Sequence, residues 1–113
     1  IGSPASRALQ SIGLAVSSGR PVLCLLSNAA LGDGKLFEAL NLAVLQNASV
    51  IFVVLERDTS TMPLAQSTTV SIDTIAQCIG LQSSVVSDNT SLGKAVSAAR
   101  EEDAPVLIRV TID

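Results

Sequence analysis

Side chains that can bind a metal ion or an anion follow two apolar runs of this chain, residues 21–26 and 49–55. They carry hydroxyl, amide, carboxylate and guanidinium groups: Ser27, Asn28, Asp33, Glu56 and Arg57. Carboxylate and amide oxygens are the ligands that hard cations such as Mg²⁺ prefer, and an arginine at a strand end can bind an anion through paired hydrogen bonds. These residue types are able to bind a metal ion or a phosphate group, and the favoured alternative for Glu56 and Arg57 is the charged start of a solvated loop.

Other kinds of chemistry lack the residues that they need. The chain contains no histidine, so the commonest general base near neutral pH is absent and the serines have no such partner to activate them. Seven lysines and arginines against ten acidic residues give a net charge of −3, and there is no tryptophan or tyrosine. We therefore expect neither nucleophilic serine catalysis nor nucleic-acid binding.

The pattern between residues 20 and 58 predicts how the polar groups are positioned. Two apolar runs of strand length flank residues 35–46, in which Leu36, Leu40 and Ala43 recur at helical spacing. This pattern is typical of a strand, a helix and a second, parallel strand. Because ligands of open α/β sheets bind at the carboxyl ends of the strands, we expect the polar groups at one edge of the sheet.

The rest of the chain continues the alternation of helix and strand. We predict helices at 4–18, 72–79 and 92–102, strands at 83–87 and 105–111, and a long polar loop at 56–70. The residues predicted to begin or end helices are serine, threonine and glycine: Ser71, Thr90 or Ser91, Gly19 and Gly80. The alternation predicts one α/β domain, residues 1–113, with a doubly wound, mainly parallel sheet and helices on both faces.

Hydrophobic residues make up 48% of the chain and charged residues 15%, which predicts strands covered on both faces or a surface covered by a partner. We interpret the first apolar run as a strand buried on both sides. Cys24 and Cys78 are interpreted as buried free thiols, and Val16 is assigned to the buried side of the first helix. No apolar run approaches the roughly 20 residues of a membrane span, so no membrane contact is expected.

Three longer stretches resemble segments of one known family. GSPASRALQSIGLAVSSGRPVLCLL is similar to a helix and strand that lead into a metal-binding turn, and EALNLAVLQNASVIFVV resembles the helix and strand that follow. The tail, from IDTIAQCIGL to SDNTSLGKAVSAAREEDAPVLIRVTID, is similar to the family's closing segment. Together they resemble the diphosphate-binding (PP) module of thiamine-diphosphate-dependent enzymes such as transketolase, deoxyxylulose-phosphate synthase and acetolactate synthase.

The resemblance implies a site for thiamine diphosphate and Mg²⁺. In that family a GDG motif after one strand and an Asn-containing turn after the next hold Mg²⁺, which binds the diphosphate. Counting back from Glu38 aligns the family's GDG with Ser27, Asn28 and Ala29. The literal GDG of this chain is centred on Asp33 and lies closer to Glu38 than the family's motif does. At that place it would begin the second helix.

Two interpretations of the site follow from this register. In one, the metal position falls on the neutral Asn28, Arg57 brings a cation nearby, and Asp33 only caps the second helix. In the other, a longer loop turns Asp33 inward as a metal ligand, with Glu56 or Asp58 as a second carboxylate. The candidate cofactor-binding residues are Ser27, Asn28, Ala29, Glu56 and Arg57, and the candidate metal ligands are Asn28 and Asp33.

The resemblance also implies that this chain does not catalyse alone, because in the family a separate pyrimidine-binding (Pyr) module supplies the activating glutamate. Three functions are therefore considered. The first is a degenerate PP-type module that is a structural or regulatory part of a larger assembly. The second is a competent PP subunit of a split decarboxylase, synthase or dehydrogenase. The third is a small anion-binding or protein-interaction module with the same fold.

The expected partner is a Pyr-type module or a second copy of the chain. The expected localisation is cytoplasmic, with an organelle matrix as the alternative; the sequence shows no signal peptide, but this carries little weight. The chain begins at Ile1 rather than at methionine, which leaves open that it is a fragment of a longer protein.

Overall fold

The computed structural model describes residues 4–27, 34–56 and 72–111, and within them helices and strands alternate. The elements are α1 (Pro4–Ser18), β1 (Val22–Ser27), α2 (Gly34–Gln46), β2 (Val50–Glu56), α3 (Ile72–Ile79), β3 (Gln82–Val86), α4 (Asn89–Glu102) and β4 (Val106–Thr111). Every predicted helix and strand is present. None of the described helices is long and apolar enough to cross a membrane.

The described strands form one sheet in the order β1-β2-β4-β3, and every neighbouring pair is parallel. β2 lies inside the sheet, and its first five residues are all buried. Such an unbroken apolar run is typical of a parallel strand covered on both faces. The predicted α/β class with a parallel sheet is confirmed.

Two apolar cores cover the two faces of this sheet. On the first face, α1, α2 and α3 pack against side chains that include Cys24, Phe52 and Leu107. On the second face, α4 packs against residues of β2, β3 and β4, among them Ile51 and Ile108. Helices therefore lie on both faces, as predicted, and the names first face and second face are used below.

The two predicted glycine helix ends are confirmed. Gly19 and Gly80 follow α1 and α3 with φ angles of 67° and 77°, in the left-handed region that glycine adopts without strain. The amide of Gly19 donates to the carbonyl of Ala15 over 3.0 Å, which closes the last turn of α1. Asn47 follows α2 with a φ of 48°, and asparagine is one of the few other residues that tolerate this conformation.

The predicted start of α4 is wrong. The helix begins at Asn89, and its N-cap is Asp88 rather than Thr90 or Ser91. The carboxylate of Asp88 accepts hydrogen bonds from the Ser91 amide over 2.7 Å and from the Ser91 hydroxyl over 3.0 Å. Aspartate is one of the preferred N-cap residues, and its negative charge also interacts favourably with the N-terminal end of the helix.

Three burial predictions are also wrong. β1 is not buried on both sides, because Leu23 and Leu25 remain about half exposed. Val16 is 56% exposed, since the buried side of α1 is formed by Ala8, Ile12 and Ala15. Cys24 is a buried free thiol as predicted, whereas Cys78 is free but exposed. The buried residues of α3 are Ile72 and Ala76, and the helical turn directs Cys78 away from them.

Candidate functional site

The carboxyl edge of the sheet, where β1 and β2 end, is the predicted location of the site. β1 ends at Ser27, which is exposed and lies beside Leu55 in the pairing register. β2 extends one residue further than predicted and ends at Glu56. Ser27 and Glu56 therefore lie at the same edge of the sheet, on neighbouring strands.

The other predicted site residues, Asn28, Ala29, Asp33 and Arg57, lie outside the described residues. The same is true of Asp58 and of the predicted cap Ser71. The described helix α2 begins at Gly34, directly after Asp33 in the sequence. The role of Asp33, as helix cap or as metal ligand, therefore stays a prediction.

Glu56 is held by Arg109, a residue of β4 that sequence analysis did not assign to the site. Nε and Nη2 of Arg109 donate to Oε1 and Oε2 of Glu56 over 3.0 and 2.7 Å. This is a two-point contact between a planar guanidinium and both oxygens of a carboxylate, the strongest common form of side-chain ion pair. Both Glu56 oxygens are therefore engaged by the cation.

Arg109 also binds a second carboxylate through its remaining terminal nitrogen. Nη1 donates to Oδ2 of Asp73, in the first turn of α3. The side chains of Arg109, Glu56 and Asp73 are 22%, 18% and 31% exposed, so solvent screens these contacts only in part. We refer to Glu56, Arg109 and Asp73 as the ionic triad.

The triad carries one positive and two negative charges in the described structure. The pKa of Arg109 is raised above its ordinary value, mainly because its side chain is hydrogen-bonded to Glu56, and the nearby carboxylates add to the shift. A guanidinium whose pKa is raised in the folded protein stabilises the fold at every pH below its ordinary pKa. The ion pair is therefore complete throughout the neutral and mildly alkaline range.

The triad joins three elements at the carboxyl edge on the first face. Glu56 is the last residue of β2, Arg109 lies on β4, and Asp73 is the second residue of α3. In the sequence, Glu56 immediately precedes residues 57–71, and Asp73 follows them shortly afterwards. Arg109 thus fixes where the chain leaves β2 relative to where it enters α3.

One sequence signal could have pointed to Arg109. It is the only charged residue in VLIRVT, a strand whose other positions are apolar except for the last. A charge within a buried strand requires a counter-charge or water. The sequence does not say which of the ten acidic residues provides it, because Glu56 is 53 positions away.

The described residues do not form a metal site. Within residues 4–27, 34–56 and 72–111, no three His, Cys, Asp or Glu side chains lie close enough to hold a metal ion. The carboxylate of Glu56, a candidate site residue, would have to give up its contacts with Arg109 to bind one. The donor set that the structure describes therefore does not fit Mg²⁺, and no reaction step is derived through Mg²⁺ or thiamine diphosphate.

A shallow groove of about 360 Å³ opens at the same edge on the second face. Its polar lining comes from Ser87, Asp88 and Asn89 at the start of α4 and from Thr111 of β4. Hydrogen bonds from Ser91 lower the pKa of Asp88 below its ordinary value of 3.8, so this carboxylate is ionised at neutral pH. The groove is therefore acidic and does not favour a phosphate group.

Comparison with solved structures places this fold among known enzymes. A thiamin diphosphate-dependent enzyme of unverified activity from Mycobacterium smegmatis matches over 91% of this chain, with a TM-score of 0.73 and 22% identity. The thiamine diphosphate-dependent 4-hydroxybenzoylformate decarboxylase of Rhodococcus jostii RHA1 also matches over 91%, with a TM-score of 0.75 and 20% identity. This chain has the fold of a thiamine-diphosphate enzyme domain. The resemblance stated from the sequence is confirmed at the level of the fold.

The same comparisons limit which properties of these enzymes can be transferred to this chain. The chain spans 21% and 22% of the lengths of these two enzymes, so it corresponds to about one domain of each. No protein-family profile matches the sequence. No curated protein matches it either.

Proposed function

We propose that this chain is a degenerate PP-type module of the thiamine-diphosphate enzyme fold, acting as a structural or regulatory part of a larger assembly. In this role the fold is retained as a rigid frame, while the carboxyl edge of the sheet no longer holds Mg²⁺ and the cofactor's diphosphate. Fold alone does not fix function, so the proposal depends on the residues at that edge.

The ionic triad is the observation that carries the proposal. The resemblance assigns the second half of the metal motif to the turn after β2, where Glu56 is the last strand residue. Both oxygens of Glu56 are bound by Arg109, and Arg109 brings a permanent positive charge to this edge. Because Arg109 engages both oxygens of Glu56, this carboxylate is withheld from Mg²⁺, which prefers carboxylate oxygens as ligands.

The residue assigned to the metal position supports the same conclusion. β1 is described up to Ser27, and Asn28, the next residue in the sequence, is the one that the register assigns to the family's metal-binding aspartate. An asparagine side chain offers a neutral oxygen in place of a carboxylate. Since Ca²⁺ and Mg²⁺ sites lose affinity as ligand charge is removed, this substitution weakens the proposed metal position further.

The apolar side chains that the described residues leave exposed support an assembly with a further protein module. The chain spans about a fifth of each matched enzyme. We propose that it assembles with a Pyr-type module or with a second copy of itself, so that the apolar surface left exposed on α1, α2 and β1 becomes covered. Leu9, Leu14 and Leu45 belong to that surface, and they are 48%, 56% and 73% exposed.

A second candidate is a competent PP subunit that binds Mg²⁺ and thiamine diphosphate in a split enzyme. It is favoured by the two structural neighbours, because both are described as thiamine-diphosphate-dependent and one is a decarboxylase. It requires that Asp33 provide the metal-binding carboxylate. The two candidates therefore differ in whether the carboxyl edge of the sheet binds the complex of Mg²⁺ with thiamine diphosphate.

Isothermal titration calorimetry of the purified chain with thiamine diphosphate, in the presence and absence of Mg²⁺, separates the candidates. A degenerate module gives no heat that depends on Mg²⁺. Asn28→Asp is the matched variant, because it places a carboxylate at the position that the register assigns to the family's metal-binding aspartate. Mg²⁺-dependent binding at micromolar strength, lost in Asn28→Ala or Asp33→Ala but not in Glu38→Ala, would establish the competent subunit instead.

A further inference from the structure

α3 is attached to the first face by fewer buried side chains than the helix beside it. α3 buries Ile72 and Ala76, and Ile79 is partly buried against the same core. The neighbouring helix α2 buries a larger set: Leu36, Ala39, Leu40 and Ala43. Elements with few buried apolar contacts open locally at a lower free-energy cost than the rest of a fold. α3 is therefore the helix of the first face that we expect to detach most easily from α2 and the sheet.

The two ends of α3 are held in different ways. At the C-terminal end, the amide of Leu81 donates to the carbonyl of Ala76 over 2.8 Å, and Leu81 is buried. Gly80 precedes it with a φ of 77°, which glycine adopts without strain. At the N-terminal end, the carboxylate of Asp73 accepts a hydrogen bond from Nη1 of Arg109. The C-terminal end is thus fixed by backbone bonding and burial, whereas an ion pair ties down the N-terminal end.

The composition of the ionic triad allows Asp73 to leave without exposing an unpaired cation. Nε and Nη2 of Arg109 donate to Glu56, and Nη1 donates to Asp73. Breaking a buried ion pair is costly when it leaves one charge without a partner. Here the departure of Asp73 leaves Arg109 paired with Glu56 in a contact of zero net charge. Asp73 supplies the excess negative charge of the triad and is the member that can be released.

The contact with Asp73 is also the more accessible half of the triad. The side chain of Asp73 is 31% exposed and that of Glu56 is 18% exposed. Dissolved ions screen an exposed charge pair more strongly than a buried one. Salt should therefore weaken the bond between Arg109 and Asp73 before it weakens the two bonds between Arg109 and Glu56.

We propose that the bond between Asp73 and Arg109 is a latch for α3. When the latch is closed, the N-terminal end of α3 is held on the sheet. When it opens, α3 turns away about Gly80, while the pair of Arg109 and Glu56 persists. The latch is a conformational switch at the carboxyl edge that responds to ionic strength. It does not rest on the function proposed above, because it requires only the described contacts of β2, α3 and β4.

Hydrogen exchange of the isotopically labelled chain, measured by NMR under native conditions, tests the latch. An isolated helix as short as α3 is not stable in water, so an opened α3 unwinds and its hydrogen-bonded amides, at residues 76–79, exchange. Asp73→Asn removes the charge and keeps the size of the side chain. We expect exchange at residues 76–79 to become about tenfold faster, as for the loss of one charged hydrogen bond. The amides of Leu40 in α2 and Val53 in β2 should be unaffected.

Two matched variants separate the latch from other effects of Asp73. Glu56→Gln removes the other carboxylate and leaves Asp73 bonded to Arg109, so exchange in α3 should not become faster. Glu56→Gln combined with Arg109→Met leaves Asp73 in place but removes its cation. This double variant should accelerate α3 as much as Asp73→Asn does. A carboxylate that acted only on the N-terminus of its own helix would leave the double variant without effect.

A salt titration keeps the proposal testable if a variant does not fold. Raising NaCl from about 0.05 to 1 M should accelerate exchange at residues 76–79 of the unmodified chain relative to Leu40, and should not do so in Asp73→Asn. The proposal is overturned if salt leaves this ratio unchanged, or if Asp73→Asn accelerates Leu40 and Val53 as much as α3. It is also overturned if the double variant leaves exchange in α3 unchanged, or if Glu56→Gln alone accelerates it.

Discussion

Arg109 is the residue on which the carboxyl edge of the sheet depends. It is a cation in an otherwise apolar strand, and it is bonded to two carboxylates that come from β2 and α3. The sequence predicted a cation at this edge, but assigned it to Arg57, which lies outside the described residues. The sequence could not predict that Arg109 pairs with Glu56 and Asp73, which lie 53 and 36 positions away, because such contacts depend on the strand order.

Arg109→Met tests the triad at the level of stability. The substitution keeps the apolar stem but leaves the carboxylates of Glu56 and Asp73, 18% and 31% exposed, without this counter-ion. We expect a loss of about 2 kcal/mol in the free energy of unfolding, between the values typical of exposed and buried ion pairs. Urea denaturation followed by circular dichroism measures it.

Glu56→Gln combined with Arg109→Met is the control for this prediction. Removing one carboxylate relieves the repulsion between the two, so the double variant should be more stable than Arg109→Met alone. Arg109→Lys should be intermediate, because an ammonium group cannot bind a carboxylate at two points in the same plane. An Arg109→Met variant as stable as the unmodified chain would show that the triad contributes nothing to the fold.

Asp88 gives a prediction about pH. Hydrogen bonds from Ser91 lower its pKa from 3.8, so the ionised form is favoured in the folded protein. A carboxylate with a lowered pKa stabilises the fold above its ordinary pKa, and this contribution is lost as the pH falls through the lowered value. Asp88→Ala should therefore lower the melting temperature at pH 7, and the difference from the unmodified chain should shrink below about pH 4.

Asp88→Asn separates the charge from the cap, because asparagine is an equally good N-cap but does not titrate in this range. Its melting temperature should lie close to that of the unmodified chain at pH 7. Ser87→Ala, one position earlier, should have no effect at any pH. A constant difference between Asp88→Ala and the unmodified chain from pH 7 to pH 3 would contradict the assignment of the cap.

At the scale of elements, helical and strand periodicity was sufficient to find each helix and strand. It located α2 from Leu36, Leu40 and Ala43, all of which are buried. It failed for β1, because an unbroken apolar run does not reveal whether a helix covers its second face. It also failed for Cys78, because the buried side of the short helix α3 consists of Ile72 and Ala76 and is too narrow to include Cys78.

Two leucines of α2 test this description of its buried side. Leu40 is completely buried, and Leu45 is 73% exposed. Leu40→Ala should lower the free energy of unfolding by about 2–5 kcal/mol, the range for a fully buried leucine, because it leaves a cavity between α2 and the sheet. Leu45→Ala should change it by less than about 0.5 kcal/mol, as expected of an exposed position. Equal losses in the two variants would mean that α2 is rotated from its described orientation.

At the scale of the whole molecule, the described residues form one parallel four-stranded sheet with helices on both faces. The carboxyl edge of this sheet carries the ionic triad, and Leu23 and Leu25 of β1 remain about half exposed. The sequence predicted the layered arrangement and the family resemblance, because both depend on local patterns. The strand order and the uncovered side of β1 required the structure, because they depend on which elements become neighbours.

The central claim, that the carboxyl edge does not hold a metal–diphosphate complex, is tested most directly by paramagnetic relaxation. Mn²⁺ accepts the same oxygen ligands as Mg²⁺ and broadens nearby NMR signals. With Mn²⁺ and thiamine diphosphate both present, we expect the amide signals of Ser27 and Glu56 to remain as sharp as with Mn²⁺ alone. Selective broadening of these two signals that appears only with thiamine diphosphate, and that excess Mg²⁺ reverses, would contradict the account.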